Sequence, residues 1–222
     1  MMEPLLNEIE VRILGSLIEK QITTPDYYPL TLNSLVTACN QKSSRFPVVE
    51  FGEKSVVRAL ESLRDRGLVR MVSGADMRVP KYYHLCMESF DLTPPQLAAT
   101  CILMLRGPQT VGEIRGRTGR LYDFANLAEV EETLRELSRQ GPGALVVQLE
   151  RQPGRKEVRY AHLLAGEPSL VSEEECEGPI EPLAREVQDE NARIAALESE
   201  VAALRGEVEV LRRAFEEFKG QF

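Results

Sequence analysis

The strongest constraint on this chain is that it spells one buried helix twice. Val56, Leu60 and Leu63, followed by Leu68-Val69, are matched at a constant offset of 74 by Val130, Leu134 and Leu137, followed by Leu145-Val146 after a three-residue lengthening. Apolar residues three and four apart make one face of a helix, and a repeated face implies a repeated structural unit. In the first copy, Leu6, Ile9, Ile13, Leu14, Leu17 and Ile18 mark a helix over residues 5–21, and Thr31 caps a second helix carrying Leu32, Leu35, Val36 and Cys39. A third helix is predicted from Glu53 to Arg66, stopped by Gly67, with two short strands, LVRMV and KYYHL, after it. The second copy repeats the order: TPPQLAATCILMLRG from Thr93, TVGEIRGRTGR from Thr110, LAEVEETLRELSRQG, and the strands ALVVQLER and VRYAHLLA around a QPGRKE turn. Three helices closed by a hairpin is the element order of a winged helix, in which the third helix is the groove reader.

A second pattern occupies the C-terminal part. From Ile180 the apolar residues follow a heptad, with Ile180, Val187, Ile194, Val201, Val208 and Phe215 at a and Leu183, Leu197, Leu204, Leu211 and Phe218 at d; Glu190 is the one polar d residue. β-Branched a positions with Leu at d favour a parallel two-stranded coil. Pairing g with the e residue of a partner gives Arg193 with Glu198, Glu200 with Arg205 and Glu207 with Arg212, all opposite in charge. The expectation is a parallel homodimer held by Ile194, Leu197, Val201, Leu204, Val208 and Leu211, through a coil about 60 Å long at 1.5 Å per residue. A tail folded back on its own domains is the alternative. The full expectation is a mainly α protein with small β-hairpins (α+β): a first winged-helix domain over 1–90, a second over 91–166, an acidic linker over 167–179 and a coiled-coil dimerisation helix over 180–220.

Charge bears on the partner only through its distribution. The net charge is −8, which by itself argues against phosphate binding. Residues 1–90 hold 11 basic and 11 acidic side chains, 91–166 hold 10 and 9, and 167–222 hold 6 and 15. The acidity belongs to the tail, and the two repeats are close to neutral. With aromatics at 6% and Trp absent, there is little from which to build a stacking platform for single strands. Cys39, Cys86, Cys101 and Cys176 lie far apart without a CxxC pair and are expected as reduced thiols. The N-terminal segment has no basic stretch followed by an uninterrupted apolar one, and no later run approaches the ~18 apolar residues of a membrane span. A cytoplasmic protein with no membrane partner is expected.

The segment IEKQITTPDYYPLTLNSLVTACNQKSSRFPV, Ile18 to Val48, resembles the signature of the YceH-like family of bacterial tandem winged-helix proteins. The resemblance covers about residues 5–165, and coil-forming tails occur in that family too. It implies the architecture already drawn from the repeat and supplies no catalytic residue. The sequence departs from the family's pattern at Phe46, where a polar or acidic residue is expected before the proline.

Chemistry-bearing motifs are sparse. His84 and His162, the two histidines, fall at one shared position in the second strand of each hairpin, in YYHL and YAHL. There is no HExxH, GxGxxG, GKS or GKT, so the chain is expected to be non-enzymatic, with no metal and no cofactor. For duplex DNA, Lys42, Ser43, Ser44 and Arg45 precede the third helix of the first repeat, and Lys54, Ser55 and Arg58 open it. Lys and Arg there would position the domain on phosphates, and Arg58 or Ser55 would reach base edges. The competing reading of residues 40–45 is a polar loop that caps helix ends and satisfies buried backbone groups. In the second repeat the matching helix carries Glu129, Glu131, Glu132 and Glu136, while basic residues sit at Arg115, Arg117 and Arg120 and on the wing at Arg151, Arg155, Lys156 and Arg159. Arg151, Arg155 and Lys156 are the secondary, wing contacts. The expected function is a dimeric winged-helix DNA-binding protein, a transcriptional regulator; the alternative is an interaction scaffold using winged helices to bind a protein partner.

Overall fold

The computed structural model describes residues 6–73, 79–139, 144–151 and 157–166, all within a compact unit spanning 1–169. The predicted linker over 167–179, the coil over 180–220 with its six seam residues, and the wing positions Arg155 and Lys156 lie outside the described residues. The described residues form an α+β structure, mainly helical, with small antiparallel sheets. None of their helices is long and apolar enough to cross a membrane.

Helix α1, Glu8–Thr23, starts in a capping box: the Glu10 backbone N–H donates to the Asn7 side chain and the Asn7 N–H to the Glu10 carboxylate. Thr31 caps α2, Leu32–Cys39, by accepting from the Ser34 N–H. Helix α3, Glu53–Asp65, buries Val56, Ala59, Leu60 and Leu63. It is followed by Gly67 at φ +71, the left-handed turn glycine accommodates best. Strands β1 (Leu30–Thr31), β2 (Val69–Val72) and β3 (Lys81–His84) make a sheet in the order β1-β3-β2.

A five-residue helix not expected from the sequence, α4 (Cys86–Phe90), then leads into the second series. Helices α5 (Pro94–Arg106), α6 (Val111–Thr118) and α7 (Leu127–Arg139) precede β4 (Val146–Gln148) and β5 (Tyr160–His162). The registers of the two series coincide. Val69 faces His84 in the first hairpin and Val146 faces His162 in the second. Leu30 pairs with Tyr82 just before the cap Thr31, and Gln109 pairs with Tyr160 just before the cap Thr110.

The two series share one core. Helix α1 packs on α2 and α3 and also on α5, so it is buried without interruption from Glu10 to Ile18. Helix α5 is buried from Gln96 to Leu105 in the same way. Gly15 permits the close crossing: a Cβ there would lie 2.8 Å from Leu105 Cδ2. At the same point the Cys101 thiol donates to the Gly15 carbonyl at 3.4 Å. Two-sided burial is why the apolar pattern of both helices is broader than a single amphipathic stripe.

Candidate nucleic-acid interface

With Val56, Ala59, Leu60 and Leu63 turned inward, the helical period leaves Lys54, Ser55, Arg58 and Glu61 exposed on the outer face of α3. Among the described residues, neither Lys54 nor Arg58 has an ion-pair partner. The loop before α3 springs from beside its N-terminus, because the Asn40 side chain closes it: Nδ2 donates to the Phe51 carbonyl at 2.9 Å and Oδ1 accepts from the Phe51 N–H at 2.8 Å. Lys42 and Ser43 are exposed on this loop.

Arg45 departs from its expected place. It is 6% exposed, and its guanidinium is fully engaged inside the protein. Nη1 and Nη2 donate to the two Glu19 carboxylate oxygens at 3.1 and 2.6 Å, Nε and Nη2 donate to the Ala38 carbonyl, and further bonds reach the Ser44 carbonyl and Gln41 Oε1. A forked pair of this kind satisfies the carboxylate and the unpaired carbonyl at the end of α2 together. Arg45 is therefore removed from the phosphate contacts. Arg12 plays a similar part beside it, donating to the carbonyls of Cys39 and Pro47 at 3.1 and 2.6 Å. Burial, and then the Arg45 charge, lower the Arg12 guanidinium from its ordinary value. Asn40 and Arg45 thus do what the competing reading of a polar, backbone-satisfying loop requires, while Lys42 and Ser43 face solvent.

The matching face in the second repeat is differently occupied. Glu129 accepts from the Tyr122 hydroxyl and the Ala125 N–H, Glu136 from the Gln96 amide, and Glu132 pairs with Arg135 and Arg139. Arg115 donates to the carbonyls of Phe124 and Ala125, and Arg117 is held by Gln109 and Glu113. Arg120 and Arg151 are exposed. Among the described residues, most charges of α7 and α6 are thus engaged within the second repeat, and those of α3 are not.

Burial pushes the Cys39 thiol up to about 11 and the Cys86 thiol up to about 12, which keeps both protonated near neutrality. Among the described residues no group of three or more His, Cys, Asp or Glu side chains could hold a metal ion.

The family described as a protein of unknown function, DUF480, matches residues 6–155. A UPF0502 protein of Geobacter sulfurreducens is 55% identical over 222 residues, 100% of each chain. One of Geotalea daltonii is 56% identical over 221 residues, again 100% of each. One of Opitutus terrae is 50% identical over 185 residues, 83% of this chain and 80% of that one. Sharing more than half its residues with full-length relatives, and matching the family over both repeats, the chain belongs to the DUF480 (UPF0502) family of bacterial proteins, as the resemblance at Ile18–Val48 implied.

Proposed function

We propose that the chain binds duplex DNA as a regulator of transcription, through two winged helices of which the first is the reader. The observation that carries this reading is the exposed outer face of α3, where Lys54, Ser55 and Arg58 stand with the two cations unpaired among the described residues. In a winged-helix docking this face enters the major groove, with Lys42 and Ser43 beside it over the phosphates. Binding of the full chain to a mixed-sequence duplex should weaken steeply with salt. Arg58→Glu should reduce affinity by at least about tenfold, since it replaces an attraction to phosphate or base by a repulsion. Equal affinity of the variant and the wild type would remove α3 from the interface.

The heptads from Ile180 to Phe218 support a parallel dimer that would set the separation of two half-sites. Light scattering should give twice the chain mass, and Leu197→Lys with Leu204→Lys should give the monomer mass by placing charge in the seam. A variant that stays dimeric would shift the interface to the repeats. The alternative, a scaffold that binds a protein partner, draws on the exposed Glu131 and the acidic character of α7. Duplex binding absent at low salt would favour it.

A further inference from the structure

The turn between α5 and α6 gathers three arginines from separate parts of the second repeat. Arg106 ends α5 and reaches into the first repeat, where its Nη2 donates to Ser44 Oγ at 2.7 Å. Arg117, on α6, donates to Gln109 Oε1. Arg159, just before β5, donates through Nη1 to the Pro108 carbonyl at 3.2 Å. Its Nε is buried with no hydrogen-bond partner among the described residues. Gln109 is the buried centre of this arrangement: its Nε2 donates to the carbonyls of Arg106 and Pro108 at 3.1 and 2.8 Å, so its Oε1 is left to hold Arg117. Gly107, at φ +69, allows the tight reversal that stacks these groups on four consecutive residues.

The charge there is not balanced. Burial, followed by the neighbouring Arg117 and Arg45, lowers the Arg106 guanidinium to about 10, with Glu19 and Glu113 acting in the opposite sense. Arg45 already belongs to Glu19, and Glu113 serves both Arg117 and the Thr110 N–H. Arg106 and Arg159 have no carboxylate within ion-pair distance among the described residues. Three guanidinium groups held on one turn with a single carboxylate, Glu113, among them leave charge to be met, and a phosphate group supplies acceptor oxygens and the missing charge together. Position favours the same ligand. Ser44, which Arg106 holds, lies in the loop that carries Lys42 and Ser43 to the start of α3.

We infer that the 106–109 turn, with Arg106, Arg117 and Arg159, is a second phosphate-binding site, taken by a backbone phosphate flanking the groove that α3 enters. For its DNA source the inference rests on the duplex-binding reading; the phosphate chemistry does not. The full chain is titrated with a mixed-sequence duplex of about 20 base pairs between roughly 50 and 200 mM NaCl, as wild type, as Arg117→Gln and as Arg106→Gln/Arg159→Gln. Arg58→Glu is the reference for α3. Melting of the same proteins is compared in sodium phosphate and in NaCl of matched ionic strength. Arg117→Gln, at a partly exposed position, keeps the test intact if the double variant folds poorly.

Loss of affinity by about tenfold, a salt slope shallower by about 0.9 for one lost phosphate contact, and a phosphate-specific rise in Tm seen in the wild type and in Arg58→Glu but not in the turn variants are expected. Unchanged slopes together with equal melting in the two salts would overturn the site and leave the α3 reading standing. A phosphate-specific rise in the wild type with unchanged duplex slopes would make free phosphate the ligand and overturn the flanking contact. If no variant or wild type binds duplex but phosphate still raises the Tm of the wild type and of Arg58→Glu and not that of the turn variants, the α3 reading falls and the anion site holds.

Discussion

Arg45→Gln should lower the Tm of the full chain by roughly 10 °C, because removing one partner of a buried ion pair costs about 3–5 kcal/mol and each kcal/mol is worth about 2–4 °C at this chain length. The loss has two parts. The Glu19 carboxylate, whose side chain is 16% exposed, is left without its guanidinium, and the Ala38 carbonyl at the end of α2 loses its donors. Burial alone would raise the Glu19 carboxyl, but the hydrogen bonds and charge of Arg45 outweigh it and hold the group below its ordinary value of 4.5. A depressed carboxylate stabilises the fold above its unfolded value and ceases to do so as pH falls through the folded one. The wild-type contribution of the pair should therefore be full at neutral pH and decline only below about pH 4.5. The variant, whose buried carboxylate Arg45 no longer holds down, should begin to regain stability at a higher pH, so the difference narrows from both sides. A Tm within about 2 °C of wild type would mean that the pair is worth no more than an exposed one. An unchanged Tm with a collapsed DNA affinity would return Arg45 to the surface.

This pair also marks where the sequence ceases to be legible. Val56, Leu60 and Leu63, and their counterparts Val130, Leu134 and Leu137, were readable as core from spacing alone, and all six are buried. Thr31 was readable as a cap, since a hydroxyl before an apolar period has one common use at a helix start. Arg45 was not readable. It stands in a run of polar residues, and its partner Glu19 is 26 positions away on a helix that packs on α5 as well as on its own repeat. The same holds for the 106–109 turn, whose arginines come from α5, α6 and the approach to β5 and share no spacing. Very short elements fail for a different reason. Two residues at β1 and five at α4 are fewer than any period needs to show itself.

On the outer face of α3, by contrast, pattern and structure agree on which side chains are exposed. Lys54, Ser55 and Arg58 required only the helical period, because the buried positions fix the outward ones. The contrast with α7 required coordinates: its glutamates are visible in the sequence, but their engagement by Tyr122, Ala125 and Gln96 is not. A repeated fold thus carries unlike surfaces, and function has to be argued from the surface.

The repeat gives the two histidines a shared liability that should dominate stability in mild acid. His84 and His162 stand opposite Val69 and Val146 in equivalent strand pairs, and burial lowers each to about 4 from 6.5. At His84 the Nδ1 atom accepts from the Cys86 N–H at 3.2 Å, which leaves the Nε2 proton for Gln21 Oε1 at 2.6 Å. A second proton on Nδ1 would set two donors against each other. At His162 the Nδ1 atom is buried without a partner among the described residues, so its protonation would place a charge where no acceptor waits. A base whose folded value is depressed binds protons more readily when unfolded. Its contribution is complete above about pH 6.5 and is lost progressively as pH falls toward about 4, on the order of 3 kcal/mol for each ring. Urea unfolding of the full chain at steps from pH 7 to pH 4.5 should show this decline. In His84→Asn/His162→Leu, which keeps an acceptor near Cys86 and an apolar side chain in the second hairpin, the decline over that interval should largely disappear. The variant will be less stable than wild type at pH 7 from lost contacts, so the slope with pH is the quantity that decides. A variant slope as steep as that of the wild type would assign the acid sensitivity to carboxylates instead, whose window lies lower, where the Glu19 pair is lost.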